Sequence, residues 1–116
     1  MPFDSPSVLL ERHCSGDPTA FVALVKGHQG ELLRLARGVL GRGSAYEDVV
    51  QEAFMRLAQS PPTIPELALG DADVERAHLS SWLHKVTRNL CMDVIRSETR
   101  RRRRERSGRR RRHGVR

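Results

Sequence analysis

Apolar residues return at steps of three and four through three stretches of this chain, and clusters of glycine or proline separate the stretches. Phe21, Leu24, Val25, Leu32, Leu35, Ala36, Val39 and Leu40 make the first series. Val50, Ala53, Phe54 and Leu57 make the second, and Trp82, Leu83, Val86, Leu90, Cys91, Val94 and Ile95 the third. This spacing gives a helix one apolar face, whereas a half-buried strand would alternate every second residue. Three such helices can bury their faces only against one another, so the expected fold is all-α: a compact bundle of three main helices with a short helix before them.

Local signals set the boundaries. Val8 to His13 reads as the short first helix, ending before Ser15-Gly16. Asp17 is a cap residue followed by Pro18 at the first helical position, where a missing N–H costs nothing. Gly27 and Gly30 weaken the middle of this long helix by about 1 kcal/mol each relative to alanine, so tertiary packing must hold it. Gly41-Arg42-Gly43 ends it. Ser44 with Glu47 three residues later forms a capping box for the next helix, which runs to about Gln59. Ser60-Pro61-Pro62-Thr63-Ile64-Pro65 cannot continue a helix. Glu66 to Arg76 is acidic and weakly periodic, which predicts an irregular, mobile connection over 60–81 holding one or two helical turns. Ser80 or Ser81 then caps the last helix.

Charge divides the chain unevenly. Met1 to Ile95 carries nine Lys/Arg against twelve Asp/Glu, a net of −3, while Arg96 to Arg116 carries twelve Arg against Glu98 and Glu105, a net of +10. A mildly acidic body with a basic end implies one surface for protein and another for nucleic acid. The reading therefore divides the chain into a helical domain over 1–98 and an arginine-rich tail over 99–116. The tail is helical at its start and frayed from Arg106, beside Ser107-Gly108, where like charges repel.

Other function classes find little support. No stretch approaches the roughly 20 apolar residues of a membrane span, and the proline-containing, acidic start is unlike a secretory leader, which places the protein in the cytoplasm. His13, Cys14, His28, His78, His84, Cys91 and His113 contain no close-spaced ligand pair of the usual zinc kind, so no metal or cofactor is expected. Cys91 falls on the apolar stripe. No phosphate-cradling loop, zincin histidine pair or nucleophile elbow is present, and the chain does not read as an enzyme.

The last helix carries the candidate chemistry. Lys85, Arg88, Asn89, Met92 and Arg96 share a face opposite the apolar stripe, and Arg100, Arg103 and Arg104 extend it. Arginines hold phosphate oxygens and Asn89 can present an amide to a base edge. Each also has a plain reading as solvated surface. Trp82 can stack on an unpaired base or sit partly in the core. On the second helix, Asp48, Gln51, Glu52 and Arg56 form an acidic, amide-rich outer face.

Four blocks, in order, resemble a known family: Gly16-Asp17-Pro18-Thr19-Ala20-Phe21; Leu32-Leu33-Arg34-Leu35-Ala36; Glu47 through Leu57, reading EDVVQEAFMRL; and Trp82 through Arg96, reading WLHKVTRNLCMDVIR. Together they look like conserved region 2 of the extracytoplasmic-function group of bacterial RNA polymerase sigma factors. The resemblance covers about Val8 to Arg104. It implies a transcription initiation factor that docks its second block on the β′ clamp helices of RNA polymerase core; nothing in the apolar periodicity requires self-association, so the free chain is expected to be monomeric. Asp48, Gln51, Glu52, Phe54 and Arg56 would make or support that surface, with Phe54 mostly buried. It also implies that Lys85, Arg88, Asn89 and Arg96 engage promoter DNA, especially the single-stranded non-template −10 element. Asp93 would orient Asn89 or Arg96. An anti-sigma factor is a further possible partner.

The chain departs from the family pattern in two places. No second helical domain for the −35 element follows, which fits either a fragment or a short protein. The connection over 60–81 is long, and His78-Leu79-Ser80-Ser81 stands where an aromatic often precedes the tryptophan-leucine pair. Glu66, Asp71, Asp73 and Glu75 suggest an acidic cover over the basic helix. Two other readings stay open: a sigma-like interaction module that binds polymerase or an anti-sigma factor without initiating transcription, and a generic arginine-tailed nucleic-acid binder.

Overall fold

The computed structural model describes residues 4–43 and 45–114. Four α-helices appear, α1 (Pro6–Cys14), α2 (Pro18–Leu40), α3 (Ala45–Gln59) and α4 (Ala72–Gly114), and a single 3₁₀ turn, Glu66–Ala68, lies between α3 and α4. There is no strand among the described residues. The all-α bundle expected from apolar spacing is the observed fold.

Helix α2 begins as its sequence requires. The Asp17 carboxylate accepts from the backbone N–H of Thr19 at 2.9 Å and from its hydroxyl at 2.7 Å, while the Arg12 guanidinium donates to the other oxygen at 2.7 Å. The hydrogen bond from Thr19 and then that from Arg12 hold the Asp17 carboxyl down to about 2. The capping box assigned to Ser44 lies outside the described residues.

The core is aliphatic. Leu24, Leu32 and Ala36 of α2 meet Val49, Val50, Phe54 and Leu57 of α3 and Leu79, Leu83 and Cys91 of α4, and Leu10 of α1 joins them. Phe21, Val25, Val39 and Leu40 are half-buried around this cluster. Ala20 and His28 are buried as well, although the apolar spacing of α2 does not single them out. Each leucine buried in this way contributes roughly 1.5–3 kcal/mol of hydrophobic stabilisation.

One boundary differs from the sequence expectation by almost three turns. The last helix starts at Ala72, not at Ser80 or Ser81. Gly70 turns the chain at φ 93°, and the Asp71 carboxylate accepts from the N–H groups of Asp73 and Val74 at 3.1 and 3.2 Å, closing the first turn. The true buried stripe runs Glu75, Leu79, Leu83, Thr87, Cys91. Two of these five are polar, which hid the periodicity.

The buried Glu75 has a structural task. Its carboxylate accepts from the backbone N–H of Ser7 at 2.8 Å and from that of Gly70 at 2.9 Å, tying α1 and the turn before α4 together. Of the four acids that suggested a cover, Glu75 is buried and Asp71 caps the helix start, while Glu66, Asp71 and Asp73 are exposed. The connection itself shrinks to the segment between α3 and α4, where Ile64 and Ala68 are buried against the bundle.

Further links brace all four helices. His13 Nε2 donates to the Ala58 carbonyl at 3.0 Å and its ring lies 5.1 Å from that of Phe21. Glu31 on α2 accepts from His28 Nδ1 and from Ser80 Oγ, both at 2.8 Å. Burial opposes charge on Glu31, but these hydrogen bonds prevail and hold its carboxyl below the ordinary range. Arg76 Nη2 donates to the Gly27 carbonyl at 2.6 Å.

Candidate nucleic-acid interface

Each residue of an α-helix advances about 100° around the axis. Taking Lys85 as the origin, Arg88, Asn89, Arg96, Arg100 and Arg103 all lie within about 60° of it, and Arg104 lies about 100° away. The buried residues Leu79, Leu83, Thr87 and Cys91 fall at least about 120° from Lys85. Packing of α4 against α2 and α3 therefore dictates which side faces solvent, and every one of the seven candidate side chains is exposed. Asn89 is among these exposed side chains.

Beside this face lies a shallow cleft of about 280 Å³ lined by Pro62, Thr63, Ile64, Pro65, His78, Ser81, Trp82 and Lys85. Prolines fix the loop in an extended path, and buried Ile64 anchors it against the bundle. Trp82 is half-buried: it packs on the core and also presents ring surface to the cleft, so the two roles weighed for it are compatible. Sequence reasoning did not assemble this cleft, because the early start of α4 brings His78 onto the helix beside Trp82.

Asp93 interacts with one of its two candidate neighbours. Its Oδ1 lies 3.4 Å from Arg96 Nη1, one turn along, and both side chains are largely exposed. The pair contributes little stability in water but biases the Arg96 rotamer.

The second face belongs to α3. Asp48, Gln51, Glu52 and Arg56 are exposed along it, whereas Phe54 is 6% exposed and packs in the core. Asp48 and Glu52 border a groove toward α4 that includes Leu90, Asp93 and Val94. Glu47, Gln51 and Met55 border another, largely apolar groove toward α2, lined also by Phe21, Val25 and Leu33. Met55 is 53% exposed at its edge, a surface apolar residue outside the candidates named from sequence.

No helix among the described residues is long and apolar enough to cross a membrane. Burial raises the Cys91 thiol above its ordinary range, so it serves as a small core residue.

The Sigma-70 region 2 family model matches residues 24–101, which include α3, the cleft and the exposed face of α4 as far as Arg100. The chain belongs to the Sigma-70 region 2 family. Among curated relatives, it is 40% identical over 88 residues to a probable ECF RNA polymerase sigma factor SigI of Mycobacterium tuberculosis, covering 76% of this chain and 26% of that one. It is 33% identical over 92 residues to the ECF RNA polymerase sigma factor SigM of the same species, covering 79% and 42%. Against the ECF RNA polymerase sigma factor SigW of Bacillus subtilis it is 30% identical over 83 residues, covering 72% and 40%. The chain thus spans only about a quarter to two-fifths of the lengths of these sigma factors. No solved structure matches it. The matched residues contain three of the four sequence blocks, and the first, Gly16 to Phe21, lies just before them.

Proposed function

We propose that this chain is the polymerase- and promoter-engaging part of an extracytoplasmic-function sigma factor, acting in the cytoplasm in transcription initiation. The observation that carries this reading is the division of α4 into a buried stripe and an exposed face bearing Lys85, Arg88, Asn89 and Arg96, with the Trp82 cleft at its edge. Phosphate attraction comes from the cations, while discrimination falls to Asn89 and to the cleft, since charge alone carries no base preference.

The mechanism is binding energy spent on strand separation. Unstacking a base step costs about 1.4 kcal/mol. Stacking an extruded base on an aromatic ring returns about 1–3 kcal/mol. One base held at Trp82 therefore offsets opening of about one step, and the remaining steps need the cationic face and the polymerase assembly. Asp48, Gln51, Glu52 and Arg56 form the surface for the β′ clamp helices of the polymerase core, with Phe54 supporting them from inside. An anti-sigma factor would compete for the same exposed faces.

The test is polymerase-dependent opening of a duplex and of a premelted promoter by wild type, Asn89→Ala and Arg88→Ala. Both variants are expected to lose opening of duplex more than binding of the premelted template, and Asn89→Ala to lose preference for the −10 sequence. Polymerase binding with no sequence-dependent strand engagement would establish the interaction-module reading instead, for which the exposed α3 face is the supporting feature.

A further inference from the structure

Beyond Ile95 the environment of α4 changes. Cys91 is fully buried and Val94 half-buried, Ile95 is 38% exposed, and every residue from Arg96 to Ser107 is exposed. Helix α4 leaves the bundle there and projects as a single rod; the molecule is 73 Å long and 25 Å across in its other two directions. Arg100 to Arg104 are five consecutive arginines on that rod. Consecutive helical residues advance by about 100°, so these five cover the full circumference. Arg100 and Arg103 continue the face of Lys85 and Asn89. Arg101 and Arg102 lie toward the side on which the core stripe would have continued, yet they too are exposed because no bundle remains to cover them.

A helix lying on one flat anionic surface can use only half of such a charge distribution. A helix with phosphates on both flanks can use all of it. The major groove of B-form DNA is about 12 Å wide and admits a helix about 10–12 Å across, whereas the major groove of A-form RNA is too narrow. Ser97 to Gly114 contains no Phe, Tyr or Trp on which single-stranded bases could stack. It also has no Asn or Gln to read a base edge through an amide.

We infer that the projecting part of α4, centred on Arg100 to Arg104, is a second nucleic-acid site that enters the major groove of double-stranded DNA and holds both backbones without sequence preference. The inference rests on reading α4 as the nucleic-acid helix and extends it from separated strand to duplex. Asn89 and Arg102 are thirteen residues apart, about 20 Å along the axis. One helix therefore presents selective contacts at its packed end and a charged grip on the adjoining duplex at its free end.

The experiment uses the full chain without polymerase and a 20-base-pair duplex lacking promoter sequence, with affinity followed by fluorescence anisotropy against potassium chloride concentration. Replacing Arg100 to Arg104 with Gln keeps helix propensity, and helicity is checked by circular dichroism. The expected result is a log–log salt slope flatter by about 3–5 and a loss on the order of tenfold or more at moderate salt. The paired variants Arg100→Gln/Arg103→Gln and Arg101→Gln/Arg102→Gln are expected to flatten the slope equally, because both flanks are engaged. Duplex RNA and single-stranded DNA with the same number of phosphates are expected to bind more weakly than duplex DNA. An unchanged slope in the fivefold variant, an effect confined to one pair, or equal binding of duplex RNA overturns the inference. The −10 preference of Asn89→Ala is read separately, with polymerase and promoter, so either claim can fail alone.

Discussion

The carboxylate of Glu75 accepts a hydrogen bond from the backbone N–H of Ser7, 68 positions earlier in the chain, at 2.8 Å. A glutamate 1% exposed is tolerated there because Gly70 supplies a second N–H. Glu75→Ala leaves both donors without their partner, and the expected cost is about 1–3 kcal/mol. Urea denaturation measures it. Burial alone would raise the Glu75 carboxyl, but the hydrogen bonds from Ser7 and Gly70 outweigh it and hold it below the ordinary glutamate range. Its stabilisation is therefore full above that ordinary range and is lost as pH falls through the depressed folded value. Wild type should lose more stability on acidification than Glu75→Gln, which has no charge to titrate.

Gly30 is the simplest site at which to strengthen α2. It is exposed in mid-helix, and an added methyl would approach nothing closer than Arg34 Nη1 at 3.6 Å. Gly30→Ala is expected to stabilise by about 0.5–1 kcal/mol through helix propensity and reduced freedom of the unfolded chain. Thermal melting reads the change as a higher Tm, and a lower one would contradict it.

Thr87 is fully buried, and its hydroxyl has no hydrogen-bond partner. Removing an unpaired buried hydroxyl relieves a desolvation cost of about 1 kcal/mol or more. Thr87→Val should therefore match or exceed wild type in urea midpoint with the slope unchanged. A marked loss would mean that the hydroxyl is satisfied in solution.

The two cysteines differ in reactivity for a reason visible in their surroundings. Cys14 is exposed and Cys91 is buried with its thiol pushed up by desolvation. A thiol reagent at neutral pH should label Cys14 in the native protein and reach Cys91 only in denaturant. Rapid labelling of both under native conditions would show that the α4 packing opens readily.

The sequence announced α2 and α3 almost to the residue because their punctuation is chemical: Asp17-Pro18 starts one, and Gly41-Arg42-Gly43 and Ser60-Pro61-Pro62 end them. The start of α4 was hidden for an equally physical reason. Its first three turns are held by Glu75, Ser80 and Arg76, which make long-range polar contacts to Ser7, Glu31 and Gly27, and no local pattern specifies such partners. The outward face bearing Lys85, Arg88 and Asn89 could be read from spacing alone, since any residue opposite Leu83 and Cys91 must meet solvent. The cleft at Trp82 could not, because it needs a loop and a helix to meet in space.

Helix α4 has no joint between its core-packed segment and its arginine-rich end. A tilt imposed near Arg102 must be resisted at Leu83 and Cys91, so the free end acts as a lever with its fulcrum inside the bundle. By thermodynamic reciprocity, whatever grips the far end firms up the interior, and a slackened interior weakens the grip.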